Sequence, residues 1–486
     1  MISRAYTVAF HGVDARLVEV QCAVSAGLPS FSIVGLPDKA VSEARDRVRA
    51  ALSSMTIALP SKRIIINLSP ADLPKEGSHF DLPIALSLLA AIDILPRDMV
   101  QTFVALGELS LDGTLTPVLG ALPAAMTAAE HHKGLLCPAA CGAEAAWVGN
   151  TQVIAAACLR DVVHHCTGQT PLAAATPGEA PLCASQKDLQ EVKGQERGKR
   201  ALEIAAAGRH HLMFVGTPGS GKSMLAARLP TLAGLIDEGG ISRHRPFREP
   251  HHTASMVAII GGGRHAKPGE VSLAHNGVLF MDELPEFPRA VLETLRQPLE
   301  SGEVTVARAN AHVKYPCKFM LVGAANPCKC GHLNDAARAC SRAPKCGEDY
   351  MGRISGPLMD RFDMRVDIPP VAYTDLDLHD GGEASAAVAA RVAMAVEKQA
   401  SRFKSFPDVS QNADADGTLL EEIATPDTEG RALLLHAAAR FQLSARGYHR
   451  VLRVARTIAD LDSSAGIRKP HVAEALSFRL PQGTIA

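Results

Sequence analysis

The stretch Gly216-Thr217-Pro218-Gly219-Ser220-Gly221-Lys222-Ser223 constrains this chain more than any other. The mostly apolar run His211-Leu212-Met213-Phe214-Val215 precedes it, and Met224-Leu225-Ala226-Ala227-Arg228-Leu229 follows. The glycines permit tight turning, so a strand can pass into a helix through a loop whose backbone N–H groups converge. Such a loop cradles anionic phosphates. Lys222 would reach the β- and γ-phosphates, and the Ser223 hydroxyl would bind Mg²⁺. All eight loop residues are therefore candidate ATP contacts. A chance glycine-rich turn would lack the strand before it and the helix after it. Strands and helices alternate on both sides, the pattern of an α/β nucleotide-binding domain.

Two further strand ends bear on this site. Gly277-Val278-Leu279-Phe280-Met281-Asp282-Glu283 sets two carboxylates directly after an apolar run. Such runs are common at surface turns, but this one lies sixty residues beyond the loop. Asp282 is then a Mg²⁺ ligand beside Ser223, and Glu283 polarises the attacking water. Phe319-Met320-Leu321-Val322-Gly323-Ala324-Ala325 ends at Asn326. Its amide can orient that water or sense the γ-phosphate; without the first two motifs it would read as a turn residue.

At 486 residues the chain exceeds what one core holds, so several domains are expected. Apolar residues make up 47% and charged residues 21%, ordinary for a globular protein. With 50 basic residues against 51 acidic, a polyanion must be met by local basic surface. No apolar run is long enough for a membrane span. The opening MISRAYTVAFHGVDA has no signal-peptide core, so a cytoplasmic location is expected, where the eleven cysteines stay reduced. Residues 1–168 read as short strands and helices: Val18–Val24 alternates like a strand, Asp38–Leu52 has a helical period, and Ile64–Leu68 is a buried-strand run. TGQTPLAAATPGEAPL has no period and marks a linker, set at 169–184. The nucleotide domain spans 185–370, with a cysteine loop at 328–346, and 371–486 reads as helical.

The three strands in this order resemble an AAA+ ATPase. RPFREPHHTASMVAIIGGGRHAKPGEVSLAHNGVLFMDE (245–283), NPCKCG and RISGPLMDRFD (within 326–363) are similar to the ComM/YifB-type, magnesium-chelatase-like AAA+ proteins. Relatives of that family include the chelatase I subunit and the MCM replicative helicases, and the resemblance covers nearly the whole chain. It implies a multidomain α/β architecture: an N-terminal Lon-like, ribosomal-S5-like α/β domain, a central AAA+ P-loop domain and a C-terminal helical lid. It also implies a homo-hexameric ring with ATP and Mg²⁺ held between neighbours. Arg361 matches the finger that offsets transition-state charge on the next subunit's nucleotide, with Arg353 a second candidate. Arg446 matches the lid arginine acting in cis on its own subunit's nucleotide. Arg450 and Arg453 share its helix face and are alternatives, unless the three form a solvated basic face.

Glu303 to Lys314 alternates on both sides of Ala309-Asn310, a hairpin signal. In the helicase relatives a hairpin at this place points into the pore, which makes Arg308, His312 and Lys314 candidate DNA contacts. They would bind through phosphate charge rather than base stacking. The segment 245–275 matches the family's second pore element; its adjacent His251-His252 pair does not suit one metal ion. The family implies a DNA motor for branch migration and heteroduplex extension in recombination and natural transformation. Its implied partners are single-stranded or branched DNA, with recombination proteins as candidates and no membrane. A chelatase-like motor that remodels a protein partner for metal insertion is the alternative.

Cys328, Cys330, Cys340 and Cys346 are candidate Zn²⁺ ligands. The relatives usually carry a second Cys-x-Cys pair where this chain has Arg342, so Cys346 or His332 would complete the sphere; mobile free thiols are the other reading. The Lon-like resemblance raises peptidase chemistry, which needs a serine activated by a lysine. His79 stands at the serine position, the matching Gly120–Pro123 region has no lysine, and Ser78 has no evident base. Lys62-Arg63 and Arg45-Asp46-Arg47 are candidate DNA contacts of that domain, or ordinary surface charges.

Overall fold

The computed structural model describes residues 2–178, 187–233, 244–263, 266–308, 311–331, 333, 342–371 and 382–479. The chain forms two compact units, Met1–Ala180 and Pro181–Ala486.

The first unit is built on a seven-stranded mixed sheet in the order Ser30–Val34, Arg63–Ser69, Asp14–Ser25, Ile2–His11, Phe103–Ala105, Gly134–Pro138, Val153–Ala156. Its helix Lys39–Ser54 begins where the Asp38 carboxylate accepts the Val41 N–H at 2.7 Å. The same carboxylate accepts the Gly77 N–H at 3.2 Å, tying the helix start to the Lys75–His79 loop. Helix Asp81–Ala91 is buried along its whole length, in keeping with an apolar sequence on every face. The segment expected to begin the linker is partly docked. Leu172 packs into this core, Ala174 bridges to Ile154, and the Ala175 N–H reaches the Val153 carbonyl at 2.8 Å. Apolar contacts and an unpaired strand edge outweigh its lack of period. Positions 179–186 lie outside the described residues.

The second unit centres on a five-stranded sheet in the order Phe247–Arg248, Val278–Met281, Met320–Ala325, Leu212–Gly216, Met364–Ile368. Every pairing in it is parallel. Its inner strands are wholly buried and apolar, as a sheet covered on both faces demands. The C-terminal segment is helical as expected, with Ser385–Phe403, Thr428–Arg440, Ala445–Leu461 and Lys469–Ser477. These helices share one continuous core with the sheet, running from Phe214 and Val322 through Val392 to Ile458 and Val472. Buried Asp460 pins them: it accepts from Arg402 (2.9 Å), Arg456 (3.0 Å) and the Asn412 amide (2.9 Å).

His211 sits where the strand Leu212–Gly216 begins, and its Nδ1 accepts the Leu321 N–H of the neighbouring strand at 3.0 Å. That bond requires the neutral ring. Burial, with Arg450 adding to it against Asp363, holds the His211 pKa down at about 4. An unfolded histidine takes its proton near pH 6.5, so between 6.5 and about 4 the unfolded chain binds a proton that the folded chain refuses. Stability present above pH 6.5 is therefore lost as pH falls, by about 3 kcal/mol from this group at the limit. Urea unfolding from pH 7.5 to 4.5 should show a shallower decline for His211→Gln than for the natural sequence.

Candidate nucleotide site

The carboxyl ends of three adjacent strands bring the phosphate-loop residues together. Gly219 and Gly221 adopt φ of 77° and 90°, where any other residue is strained, and a Cβ on either would meet nothing within 4 Å. The loop thus presents bare backbone to open space. Lys222 folds back over it, donating to the carbonyls of Gly216 (2.8 Å) and Thr217 (2.9 Å) and to Asn326 Oδ1 (3.2 Å). Burial lowers its pKa, while Asp282 and Glu283 oppose that shift. Ser223 Oγ donates to Asp282 Oδ2 at 2.7 Å. These two hard oxygens, one hydroxyl and one carboxylate, suit Mg²⁺. Gly216 ends the strand and Ser220 is buried at 2% exposure, its backbone carbonyl held by Gln195. Thr217 and Pro218 flank it in the same loop.

Glu283 follows directly with φ of 50°, left-handed for a non-glycine residue. The turn holds it there: its N–H reaches Asp282 Oδ1 at 2.9 Å, and its carbonyl accepts the Glu286 N–H at 2.7 Å. Its carboxylate lies 3.5 Å from His252 Nδ1. The sequence reading missed this contact. The available signal was the position of His251-His252 just past Phe247–Arg248, the strand that pairs with Val278–Met281. Arg353 grips the same turn from outside, bonding to the Pro285 carbonyl (3.3 Å) and Glu286 (3.1 Å).

The arginines gather elsewhere. His211, Phe319 and Asp363 immediately precede three strands, and all line a cavity of about 570 Å³ shared with Arg361, Arg446 and Arg450. This is the amino edge of the sheet, opposite the phosphate loop. Five residues of strand separate the edges, roughly 16 Å, which no arginine side chain spans. The expected cis action of Arg446 therefore does not fit: Arg446 faces away from its own subunit's loop. Arg361 is 4% exposed and contacts Glu300; burial lowers its pKa, and so do Arg446, Arg450 and Arg296. Arg450 is committed to Asp363 and also donates to the Arg361 carbonyl at 2.9 Å. Burial alone would raise the Asp363 pKa, yet the Arg450 charge holds it well below the usual range. Arg453 donates to the Ala415 carbonyl at 2.6 Å and pairs with Asp416. A solvated basic face is thus ruled out for Arg450 and Arg453. Arg446 is exposed and, among the described residues, has no ion-pair partner.

The hairpin signal at 303–314 corresponds to strands Glu303–Arg308 and Ala311–Pro316, with Arg308 opposite Ala311 and Ala307 opposite His312. The side chains of Arg308 and His312 and the turn at 309–310 lie outside the described residues. Lys314 is 74% exposed, with Glu303 3.8 Å away. The hairpin's base is fixed by buried Val304, Val306, Val313 and Tyr315, whose hydroxyl donates to the Ala266 carbonyl at 2.8 Å. It therefore packs against the 245–275 insertion. The thiols of Cys328, Cys330 and Cys346 lie within 4.8 Å of one another; Cys340 and His332 fall outside the described residues.

In the first unit, Ser78 donates to Glu108, and Lys75 donates to the Pro70 carbonyl. His79 is buried with Nε2 2.9 Å from the Val8 carbonyl. Serine and lysine of this loop are thus engaged with other partners. Arg47 is not a surface cation either: it makes a bidentate pair with buried Asp81 at 2.6 and 2.9 Å.

The magnesium chelatase subunit ChlI family model matches residues 188–239 and 232–376, the companion ChlI model residues 18–141, and the ChlI C-terminal model residues 382–479. Competence protein ComM of Haemophilus influenzae is 43% identical over 98% of this chain and 96% of its own length. YifB of Escherichia coli is 40% identical over 98% and 97%. The 67 kDa magnesium-chelatase subunit of Chlorobaculum parvum is 29% identical over 28% of this chain and 23% of its own length. The fold and site define a magnesium-chelatase-like α/β protein of the AAA+ ATPase class, with a helical C-terminal region. The chain belongs to the ComM/YifB-type family. Among the described residues no helix is long and apolar enough to cross a membrane.

The two kinds of arginine separate by stability. Arg450→Met leaves Asp363 buried without its cation and should cost roughly 3 kcal/mol or more. Arg446→Met should stay within about 0.5 kcal/mol of the natural protein. Urea midpoints of the two variants check both values.

Proposed function

We propose that this chain is the subunit of a homo-hexameric, ATP-dependent DNA motor that drives branch migration and heteroduplex extension in recombination and transformation. The opposed placement of phosphate loop and arginines carries this reading. Lys222, Ser223 and Asp282 hold MgATP, Glu283 activates water, and Asn326 positions the γ-phosphate end. The subunit then needs cations from outside, and it offers its own Arg361 and Arg446 to a neighbour. Burial first, and then the neighbouring Arg446, Arg450 and Arg296, depress the Arg361 pKa, so an anion docked beside it relieves the cations' repulsion. Glu300 is the counter-ion that Arg361 gives up on docking. His252 restrains the Glu283 carboxylate until then.

Lys314, with Arg308 and His312 of the same hairpin, is assigned to the DNA backbone in the ring's pore, and the insertion packs against the hairpin's base. The work on DNA places the protein in the cytoplasm. The first unit is read as a Lon-like, ribosomal-S5-like domain without peptidase activity, since Ser78 has Glu108 as its partner. ComM is named as a competence protein, and its likeness extends over 98% of this chain. The match to the 67 kDa magnesium-chelatase subunit covers 28% of this chain against 98% for ComM, and on that comparison we favour the DNA motor over a motor for metal insertion.

Mixing experiments test the shared site. Lys222→Ala subunits lose ATP binding but still present both arginines; Arg446→Ala subunits keep the phosphate loop. Each variant alone should turn over ATP about a hundredfold slower or worse. Mixed rings should regain measurable turnover, whereas cis action of Arg446 predicts no recovery. Glu283→Gln should bind ATP and fail to cleave it.

The DNA assignment has its own test. Branched and single-stranded DNA should stimulate turnover, and added salt should weaken the effect. Arg308→Ala with Lys314→Ala should remove it. No stimulation by any DNA would favour the protein-remodelling motor.

A further inference from the structure

The thiol cluster touches the nucleotide site at two points, through the chain at Asn326 and through Gly331 against Pro218. Asn326, which accepts from Lys222, is followed by Pro327 and then Cys328, which is fully buried. Cys328 Sγ lies 3.1 Å from Cys330 Sγ, and Cys346 approaches from the helix Lys345–Met351. Gly331 closes the turn with φ of 83°, its N–H on the Cys328 carbonyl at 2.9 Å. A Cβ there would stand 2.6 Å from Pro218 Cδ, so the cysteine turn presses directly on the phosphate loop. The Cys346 helix packs equally tightly on the other side: a Cβ on Gly347 would lie 3.0 Å from the Pro327 carbonyl. Beyond that helix the chain reaches Arg353, which holds the Pro285–Glu286 turn beside Glu283.

We propose that Cys328, Cys330 and Cys346 bind a zinc-type soft divalent ion, and that this ion fixes the Pro218 side of the phosphate loop and Asn326 in their nucleotide-binding positions. The proposal rests on the nucleotide reading given above. Three thiolates are a soft donor set that excludes Mg²⁺ and favours Zn²⁺. Zn–S bonds of about 2.3 Å in a tetrahedron place sulfurs about 3.8 Å apart. The cluster already lies in that range, with the Cys328–Cys330 pair opening slightly on binding. Each thiol releases its proton to solvent as it ligates. Without the ion, the turn from 327 to 331 loses the crosslink to the Cys346 helix. Pro218 then loses its backing, and Asn326 its fixed approach to Lys222.

The full-length protein, grown with added zinc, is assayed for metal by elemental analysis and for affinity towards a fluorescent ATP analogue with Mg²⁺ present. One zinc per subunit is expected. Stripping it with a chelator selective for zinc over magnesium should weaken ATP-analogue binding about tenfold, and zinc alone should restore it. Cobalt in place of zinc should give a thiolate-to-cobalt charge-transfer band that Cys346→Ser and Cys330→Ser diminish. Both variants should lose metal and affinity together, with zinc unable to rescue them. Gly331→Val leaves the ligands in place but pushes on Pro218, so it should keep the metal and lose affinity. Three results would overturn the coupling: no metal bound even in excess zinc, a Cys328–Cys330 disulfide in the freshly purified protein, or affinity unchanged by stripping. Metal-loaded natural protein that shows no Lys222-dependent ATP binding would instead overturn the nucleotide reading, and the coupling with it.

Discussion

Strand polarity is the constraint on which the rest of this structure depends. In a parallel sheet all carboxyl ends share one edge, and ligands gather there because loops and helix starts converge on that side. Here that edge carries two hydrogen-bonded pairs, Lys222 with Asn326 and Ser223 with Asp282. The amino edge, roughly 16 Å away, carries Arg361 and Arg446 instead. On the proposed function, the sheet carries two complementary halves of a phosphoryl-transfer site that one subunit cannot close by itself. In the proposed assembly, subunits stacked head to tail would close each other's sites, and repetition of that contact would build a ring.

The amino edge is kept rigid by charges that have nothing to do with nucleotide. Asp363 sits at the start of its strand, accepts the His211 N–H at 2.9 Å, and takes Arg450 from the long C-terminal helix. Further along that helix, Asp460 gathers Arg402, Arg456 and Asn412. The helix that presents Arg446 is thereby tied near its start to the sheet edge through Asp363 and near its end to the helix Ser385–Phe403 through Asp460. Buried pairs are weak evidence of net stability, and the proposed action of Arg446 on a neighbour would need the fixed position they give its helix.

Much of this was legible in the sequence. The apolar runs ending at Gly216, Asp282 and Asn326 specify three buried strands with the candidate site residues at their ends, because parallel-sheet strands and phosphate loops leave strong local signatures. The helical period of Lys39–Ser54 was equally clear. What failed was of a different kind. The spacing of Arg446, Arg450 and Arg453 fixes a shared helix face, but not which end of the sheet that face meets, so the cis assignment could not be tested from sequence. Arg47 looked like a surface cation because its partner Asp81 is 34 residues away. His252 was read only as half of a histidine pair, since its approach to Glu283 depends on two strands pairing in register. The turn at Leu172–Ala175 has linker composition, yet it docks because a strand edge lay open beside it.

ATP turnover per subunit, followed through a dilution series alongside particle mass, tests the central claim most directly. A site completed by neighbours predicts specific activity that collapses as rings dissociate and recovers on reconcentration. Constant turnover per subunit down to a population of monomers would contradict it.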